Sequence, residues 1–260
     1  FHIENHVGFG FSEGILPWVA EHTPAGGRVL DIGAGFGAFV IAARRLGLDA
    51  VGIELAAYEV DYACERLEHE LPGSNPKDIF YLGDGHELPF DDEFFDSVTL
   101  WNVLEHVPDA GRLLRMVERV LKPGGHVFLI CPNYAAFRRE AHYQFYWFPL
   151  MPRPIASIYL KLRGKAPTFF EQSIFYRTNW EVLSALRKIG LQVVMPDEVL
   201  LSGRADISLE IRAKLALPDL VQDSRKRAIL KGLKTMRLTG LLETLFGFYR
   251  RWQFFRLWWR

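Results

Sequence analysis

A glycine-rich turn is the first place where residue types and their spacing could do chemistry. The run "VLDIGAGFG" sets Gly33, Gly35 and Gly37 two residues apart, and Asp31 precedes the first of them by two. Glycines let the backbone approach a ligand where any Cβ atom would clash, and a helix that follows the turn directs unpaired N–H groups at that ligand. The turn therefore predicts a nucleotide-containing cofactor, although a strand-to-helix turn that holds no ligand would use the same residues.

Two kinds of cofactor are compatible with this turn. Gly33, Gly35 and Ala38 also fit the looser pattern G-x-G-x-x-G/A, which would indicate an oxidoreductase that binds a nicotinamide or flavin dinucleotide. Asp31 argues against that class, because we place it inside the turn, where its carboxylate would repel a pyrophosphate. The same carboxylate would attract the cationic methionyl end of S-adenosylmethionine. Glu54, which ends the second strand, could accept hydrogen bonds from the ribose hydroxyls of either cofactor.

An acidic stretch after the third predicted strand adds a further feature. Asp84, in "YLGDGHELPFDDEFFDSVTLWNVLEHVPD", could accept a hydrogen bond from an adenine amino group. The alternative is an aspartate that only stabilises a turn. Together with Asp31 and Glu54, Asp84 favours the methyl donor over a dinucleotide.

The region from Arg28 to Pro132 resembles the class I S-adenosylmethionine-dependent methyltransferases. The matching pieces occur in the family's order and at its separations, and they are "VLDIGAGFG", "VGIE", "GDGHELPFDDEFFD", "LWNVLEHVPD" and "LKPGG". The resemblance implies S-adenosylmethionine as cofactor and S-adenosylhomocysteine as its product. It also implies a sheet of seven strands whose last strand is antiparallel.

The resemblance further implies which residues bind the cofactor. They would be Asp31, Gly33, Gly35, Glu54, Leu55, Asp84, Gly85 and Asn102. In that arrangement Asp31 and the two glycines line the methionine and ribose side, and Glu54 holds the ribose diol. Asp84, with Gly85 beside it, meets the adenine. Asn102 lies near the methionyl group, unless it only caps the end of its strand.

The elements that must position these residues alternate between strands and helices. Strands are predicted at "RVLDIG", "DAVGIE", "DIFYLGDG", "FDSVTLWNV" and "HVFLICPN". The helices among them are predicted at "FGAFVIAARRLG", "YEVDYACERLEHE" and "DAGRLLRMVERVLKPGG". This order predicts an α/β fold with a doubly wound, mostly parallel sheet, whose ligands lie outside the carboxyl ends of the strands.

The chain divides into four predicted segments. Residues 1–133 hold an N-terminal helix and the cofactor-binding core. Residues 134–176 are rich in aromatic residues, Pro and Arg and break the alternation, so we interpret them as an inserted cap that contacts the methyl acceptor. Residues 177–215 complete the core with a helix and a β-hairpin, and residues 216–260 form a basic, amphipathic helical tail.

Two histidines are candidates for a general base. A methyl group is transferred by in-line displacement, and a hydroxyl acceptor benefits from a base whose pKa lies near 7. His142 lies in the cap beside Glu140, whose carboxylate would orient the imidazole if the backbone is extended. His106 follows the fourth strand in "LEHVPD", where packing of the loop is an alternative role.

The cap also bears on the acceptor. It is similar to methyltransferases that act with glycosyltransferases in the synthesis of bacterial surface polysaccharides, which implies O-methylation of a sugar hydroxyl on a glycan or a lipid-linked glycan. A small-molecule or quinone-type acceptor is the alternative, because aromatic side chains suit those molecules as well. A subunit that resembles a methyltransferase but only binds a ligand or partner is a third hypothesis.

Charge is unevenly distributed along the chain. Residues 225–260 contain ten Lys or Arg and one acid, Glu243, a balance of +9 in a chain whose formal net charge is zero. Eight aromatic residues accompany these charges, which predicts peripheral contact with an anionic membrane or self-association through residues 225–260. Nucleic acid is not an expected partner, because residues 1–224 are acidic overall.

Cysteine usage and hydropathy limit the remaining possibilities. Cys64 and Cys131 are the only cysteines, which favours a reducing cytosol, and no C-x-x-C spacing predicts a metal site. No run of about 18 apolar residues predicts a membrane span. We therefore expect a cytoplasmic protein that could lie peripherally on the inner face of the membrane.

Overall fold

The computed structural model describes residues 8–135, 138–140 and 142–192 of the 260-residue chain. These residues form two compact units. The first unit contains residues 8–103, 109–130 and 189–192, and the second contains the other described residues. The predicted tail and nearly all of the predicted β-hairpin lie outside the described residues.

The first unit is built on a parallel sheet of five strands. They are β1 (Arg28–Ile32), β2 (Asp49–Glu54), β3 (Phe80–Leu82), β4 (Phe95–Trp101) and β5 (Leu121–Ile130). Their order in space is β3-β2-β1-β4-β5, so the chain runs outward from β1 to one edge and then returns to build the other. The predicted α/β fold with a parallel sheet is confirmed for these strands, and the point of reversal lies between β1 and β4, where ligands bind in such sheets.

Four helices belong to the first unit. They are α1 (Gly10–Glu21), α2 (Ala38–Arg45), α3 (Ala57–Glu70) and α4 (Ala110–Val120). The residues from Ala38 to Ala43 are all buried, and helices α1 to α3 share one apolar core with side chains of β1, β2 and β3. Burial on this scale fixes the start of α2 and therefore the turn that precedes it.

One predicted boundary is wrong. The sequence predicts that the helix before the fifth strand continues through "LKPGG", but α4 ends at Val120 and β5 begins at Leu121. Leu121 pairs with Phe95, and the register then shifts before regular pairing resumes from Ser97 with His126. Pro and two glycines cannot continue a helix, and here they form an irregularity within the strand.

The second unit contains mostly helices. Its elements are the two-residue strands β6 (Arg138–Arg139) and β7 (Tyr146–Trp147) and the helices α5 (Arg153–Leu162), α6 (Thr168–Ser173) and α7 (Asn179–Lys188). Strands β6 and β7 pair in an antiparallel manner. A small core of its own holds the unit together, made of Tyr134, Trp147, Met151, Ala156, Leu160, Phe170 and Ile174. Across the described ranges, no helix is long and apolar enough to cross a membrane.

Candidate active site

The glycine turn joins β1 to α2 and is held by the end of β2. Gly33 has φ +71°, and its N–H donates to the carbonyl oxygen of Ile53 at 2.9 Å. A Cβ atom on Gly33 would lie 2.6 Å from Cγ2 of Val103, so a larger residue would displace its neighbours. Gly35 has φ +50°, and its N–H donates to Oε2 of Glu54 at 3.1 Å. The predicted glycines therefore allow the turn to adopt a left-handed backbone conformation and to pack closely against its neighbours.

Asp31 lies within β1, and not inside the turn as predicted. The strand continues to Ile32, which pairs with Ile53 of β2, so the turn begins only after it. The Asp31 side chain is 2% exposed, and its Oδ1 accepts a hydrogen bond from the Thr99 hydroxyl at 2.6 Å. Burial raises the pKa of Asp31 to about 7; the Thr99 hydrogen bond opposes this rise, and the charge of Glu54 adds to it. A buried carboxyl with this pKa becomes fully ionised when a cation approaches it.

Glu54 ends β2, as predicted, and three backbone N–H groups fix its carboxylate. Oε1 accepts from Leu55 at 2.7 Å and from Ala56 at 3.0 Å, and Oε2 accepts from Gly35. A carboxylate has about four lone-pair positions, so a fourth donor such as a ribose hydroxyl can still bind. The Leu55 side chain is 70% exposed beside this carboxylate.

Asp84 follows β3 and is bound by its neighbour His86. Its Oδ1 accepts hydrogen bonds from the His86 backbone N–H at 2.9 Å and from Nδ1 of the His86 ring at 2.7 Å. Partial burial would raise the pKa of Asp84, but these bonds and the charges of His86 and Arg112 lower it below its ordinary value. A Cβ atom on Gly85 would lie 2.8 Å from Cδ1 of Leu113, so the loop passes close to α4.

Asn102 follows the last residue of β4. Its backbone is left-handed, with φ +56°, and its N–H donates to the carbonyl oxygen of Ile130 at 2.8 Å. Asparagine tolerates this conformation better than most residues. The exposed Asn102 therefore ends the strand, which is the alternative role that the sequence left open, and its contact with a cofactor stays a prediction.

The second unit brings the two predicted catalytic histidines together. The ring centroids of His106 and His142 are 5.1 Å apart, and the two rings are perpendicular. The Phe169 ring lies 5.4 Å from His142 and 6.2 Å from His106. Nδ1 of His106 lies 2.8 Å from the carbonyl oxygen of Ser173, which can only accept a hydrogen bond, so this nitrogen carries a proton.

His142 is held by Glu140, as the sequence predicts. Oε1 of Glu140 lies 2.6 Å from Nδ1 of His142, and Oε2 accepts the backbone N–H groups of His142 and Tyr143, each at 2.7 Å. Glu140 is 1% exposed. Burial alone would raise its pKa, but hydrogen bonds and the charge of His142 lower it below its ordinary value. An ionised Glu140 accepts the Nδ1 proton of His142, so the tautomer that serves as a base is the one whose lone pair lies on Nε2.

Residues 8–135, 138–140 and 142–192 contain no group of three or more His, Cys, Asp or Glu side chains placed to hold a metal ion. The site's ionisable side chains instead form pairs, such as Glu140 with His142. Such pairs suit proton transfer and the binding of polar groups.

Residues 30–129 match a family of proteins described as a methyltransferase domain. These residues belong to the class I S-adenosylmethionine-dependent methyltransferases. The match begins within β1 and ends within β5, so it contains the glycine turn, Glu54 and Asp84. S-Adenosylmethionine is the cofactor that membership in this family implies.

Individual methyltransferases are similar in sequence to parts of the chain. An uncharacterized methyltransferase of Mycobacterium sp. (strain JLS) is 38% identical over 105 residues, which are 40% of this chain and 38% of that protein. A ubiquinone biosynthesis O-methyltransferase of Paracidovorax citrulli is 35% identical over 120 residues, which are 45% and 49% of the two chains. The chain thus spans about half, or less, of the length of these relatives.

A solved methyltransferase structure shows the same fold. The S-adenosylmethionine dependent methyltransferase from Mesorhizobium loti has a TM-score of 0.52 and 23% sequence identity, and the match covers 78% of this chain and 91% of that one. At this identity the likeness concerns the fold alone. It agrees with the parallel sheet described above.

The methyltransferase domain has groups that fit its cofactor. Gly33 has no side chain where a Cβ atom would meet Val103, so the turn can pack closely there. Asp31 could supply a buried carboxyl for the cationic amino end, and Glu54 could supply an acceptor for a ribose hydroxyl. Asp84 could supply an ionised acceptor for an amino group such as that of adenine.

Sequence reasoning missed two residues that matter in this domain. Thr99 lowers the pKa of Asp31 through its hydrogen bond, but the two residues are 68 positions apart, and only the register of β1 with β4 brings them together. His86 binds Asp84 from two positions along the chain. That spacing is typical of a local turn around an aspartate and could have indicated the contact.

Proposed function

We propose that this methyltransferase transfers a methyl group to a hydroxyl group of its acceptor. The observation that carries the proposal is the Glu140–His142 pair, in which a buried carboxylate lies 2.6 Å from Nδ1 of the imidazole and orients its ring. A hydroxyl is a weak nucleophile until it loses its proton, so its methylation gains most from such a base.

The pair performs the proton transfer in this proposal. S-Adenosylmethionine, when bound, supplies a methyl group that is already activated on a sulfonium. His142 would accept the hydroxyl proton on Nε2 while the acceptor oxygen takes the methyl group, and the methyl–sulfur bond would break to leave S-adenosylhomocysteine. Glu140 stabilises the imidazolium that results, because the two groups then carry opposite charges in a buried setting. His106 remains a predicted second catalytic residue.

We further propose that the acceptor hydroxyl belongs to a lipid-linked glycan at a membrane surface. The outward face of α5 supports this, since Ile155, Ile158 and Leu162 are 54%, 57% and 81% exposed at helical spacing. Lys161 lies on the same helix, and no acidic residue occurs between Glu140 and Glu171. An apolar stripe with basic neighbours suits the interface of an anionic bilayer. Exposed aromatic rings in this unit, at Tyr146, Phe148 and Phe169, suit the faces of sugars.

A quinone-type acceptor is the second candidate. The curated relative in Paracidovorax citrulli is named a ubiquinone biosynthesis O-methyltransferase, and relatives of the same name occur in Acinetobacter baylyi and Pseudomonas aeruginosa. A quinone precursor also offers a ring hydroxyl on an amphipathic molecule. The same general base would serve both acceptors.

Methyl transfer tests the function directly. The wild-type protein is incubated with isotopically labelled S-adenosylmethionine and either a polyprenyl-linked oligosaccharide or a polyprenylated catechol, and the product is analysed for a methyl ether by mass spectrometry. We expect His142→Gln to lower kcat by about 10² to 10⁴. The variant should bind S-adenosylhomocysteine as tightly as wild type does.

His69→Gln is the matched control, because His69 is exposed on α3 and should leave kcat unchanged. Equal kcat values for wild type and His142→Gln would remove His142 from the reaction. Binding of S-adenosylhomocysteine without methylation of any hydroxyl would favour the non-catalytic hypothesis.

Vesicle binding tests the membrane part of the proposal. A bimane probe on Ile158→Cys, with Cys64 and Cys131 replaced by Ser, should change its emission with vesicles that contain phosphatidylglycerol. It should not respond to vesicles of phosphatidylcholine alone. A probe on Leu46→Cys, an exposed residue of the first unit, is the control. Unchanged emission of the Ile158 probe with anionic vesicles would contradict membrane contact through α5. This holds whether or not residues 225–260 bind the vesicles.

A further inference from the structure

A tyrosine hydroxyl joins the loop of the Glu140–His142 pair to helix α6. The Tyr143 O–H donates to the carbonyl oxygen of Ala166 at 3.1 Å, and its oxygen accepts the N–H of Phe170 at 3.0 Å. Tyr143 is also bound to the loop, because its backbone N–H donates to Oε2 of Glu140 at 2.7 Å. One side chain therefore ties the residues that orient His142 to the first turn of α6.

The Phe170 N–H needs an acceptor from outside the helix, because the first turn of a helix leaves its N–H groups without an intrahelical partner. Burial raises the pKa of Tyr143 above its ordinary value, and the bond from Phe170 opposes this rise. The charges of Glu140 and Glu171 add to the rise. The hydroxyl therefore keeps its proton near neutral pH, so it can donate to Ala166 while it accepts from Phe170.

Helix α6 also contacts both predicted catalytic histidines. The ring of Phe169, which lies in the first turn of the helix, has its centroid 5.4 Å from that of His142 and 6.2 Å from that of His106. At the other end of the helix, Nδ1 of His106 donates to the carbonyl oxygen of Ser173 at 2.8 Å. The turn that the Tyr143 hydroxyl holds is therefore the turn that places Phe169 beside His142.

Arg153 fixes the C-terminal end of α6 by separate contacts. Its guanidinium donates to the carbonyl oxygens of Ile174 at 2.6 Å, Phe170 at 3.1 Å and Glu171 at 3.0 Å. It also lies over the Phe170 ring, 4.6 Å from the centroid. These bonds serve carbonyl groups that the last turn of a helix leaves without intrahelical partners. Loss of the Tyr143 hydroxyl should therefore release the first turn of α6 and leave the rest of the helix in place.

We propose that Tyr143 is a positioning residue for methyl transfer, whose hydroxyl holds Phe169 against His142 and thereby keeps the imidazole oriented toward the acceptor hydroxyl. This inference rests on the proposed function of His142 as the base. Glu140 holds Nδ1 of the imidazole, and the Phe169 ring, tilted by 51° to it, limits the remaining movement. A misplacement of about 1 Å can cost about 10²-fold in rate, so a hydroxyl that touches no reacting atom can affect kcat.

Tyr143→Phe tests this role, because it removes the hydroxyl and keeps the ring. We expect kcat to fall about tenfold, with KM for S-adenosylmethionine unchanged. In the His142→Gln background the same change should have no further effect on kcat, because Tyr143 acts through the base. Tyr81→Phe is the matched control, since it removes a hydroxyl that donates to the carbonyl oxygen of Asp78 at 3.2 Å and should leave kcat unchanged.

The outcomes separate this inference from the proposed function. A fall in kcat for His142→Gln without one for Tyr143→Phe would overturn the role of Tyr143 and leave the base in place. An equal fall for Tyr143→Phe in the wild-type and His142→Gln backgrounds would show that Tyr143 does not act through His142. An unchanged kcat for His142→Gln would overturn the proposed base, and this inference with it.

NMR tests the geometry without any acceptor. In the wild-type protein the Phe170 amide should be protected from hydrogen exchange, because Tyr143 accepts its proton, and in Tyr143→Phe it should exchange about tenfold faster. The nuclear Overhauser effect between the Phe169 and His142 rings should weaken in Tyr143→Phe and persist in Tyr81→Phe. An unprotected Phe170 amide in the wild type, or an undiminished Phe169–His142 effect in Tyr143→Phe, would overturn the proposal.

Discussion

The two units each contain a buried carboxyl group, and the two groups differ in charge. Asp31 in β1 is 2% exposed, and its pKa is raised to about 7. Glu140 in the second unit is 1% exposed, and its pKa is lowered. Burial acts in the same direction on both, so it cannot explain the difference.

Hydrogen-bond donors account for it. Asp31 accepts one side-chain bond, from Thr99, whereas Glu140 accepts two backbone N–H groups and the Nδ1 proton of His142. Each donor stabilises the charged form of a carboxylate. Glu140 is therefore ionised before any ligand arrives, which suits a group that must orient a base. The pKa of Asp31 lies near neutral pH, which suits a group whose charge is needed only when a cation binds.

Glu140→Ala should cause the largest loss of stability at pH 7, because it removes the better hydrogen-bonded of the two carboxylates. We expect the free energy of unfolding to fall by about 3 kcal/mol, since the change leaves buried donors without an acceptor. Urea denaturation at pH 7 measures it. Glu140→Gln, which retains an acceptor oxygen, should lose less stability than Glu140→Ala, and equal losses would show that the hydrogen bonds are unimportant.

The stability of Asp31→Asn should depend on pH in a way that distinguishes Asp31 from Glu140. The folded-state pKa of Asp31, about 7, lies above its ordinary value of 3.8, so its contribution to stability is fully present below pH 3.8 and is lost as pH rises through 7. Relative to wild type, the variant should gain up to roughly 4 kcal/mol of unfolding free energy between pH 4 and pH 8, at 1.36 kcal/mol per pH unit.

Denaturation curves of both proteins at several pH values test this trend. Glu140→Gln should show the opposite sign, because a lowered pKa stabilises the fold above the ordinary value and the effect is lost on acidification. A difference between Asp31→Asn and wild type that stays constant with pH would contradict the raised pKa.

Thr99→Val should have the smallest effect. It removes the one side-chain donor to Asp31 at similar volume, so the pKa of Asp31 should rise above 7 and stability should fall by about 1 kcal/mol. The pH at which S-adenosylhomocysteine binding reaches half its full strength should increase accordingly. Thr99→Ser, which keeps the hydroxyl, is the control, and an unchanged midpoint in Thr99→Val would separate Thr99 from the charge of Asp31.

The sequence predicts features that depend on neighbouring residues. The glycine turn, the position of Glu54 at a strand end and the contact of Glu140 with His142 all follow from spacing within a few residues. Parallel pairing of the strands also follows, because strands that alternate with helices favour a parallel sheet.

Contacts that depend on register or on tertiary packing could not be predicted in the same way. Asp31 meets Thr99 through the pairing of β1 with β4, and the perpendicular rings of His106 and His142 come from segments 36 residues apart. The sequence pattern predicts Asp31 in the turn, and not in the strand, because local sequence does not mark where a buried strand ends. The pKa of a carboxyl depends on these contacts, so its charge could not be inferred from residue type.

Calorimetric titration at pH 8 with S-adenosylhomocysteine and, separately, with NAD tests the central claim most directly, and Asp31→Asn is titrated beside wild type. We predict that S-adenosylhomocysteine binds, that NAD does not, and that Asp31→Asn binds S-adenosylhomocysteine much more weakly. Binding of NAD alone, or equal affinity of the two proteins for S-adenosylhomocysteine, would contradict the role of Asp31 as the buried partner of a cationic cofactor.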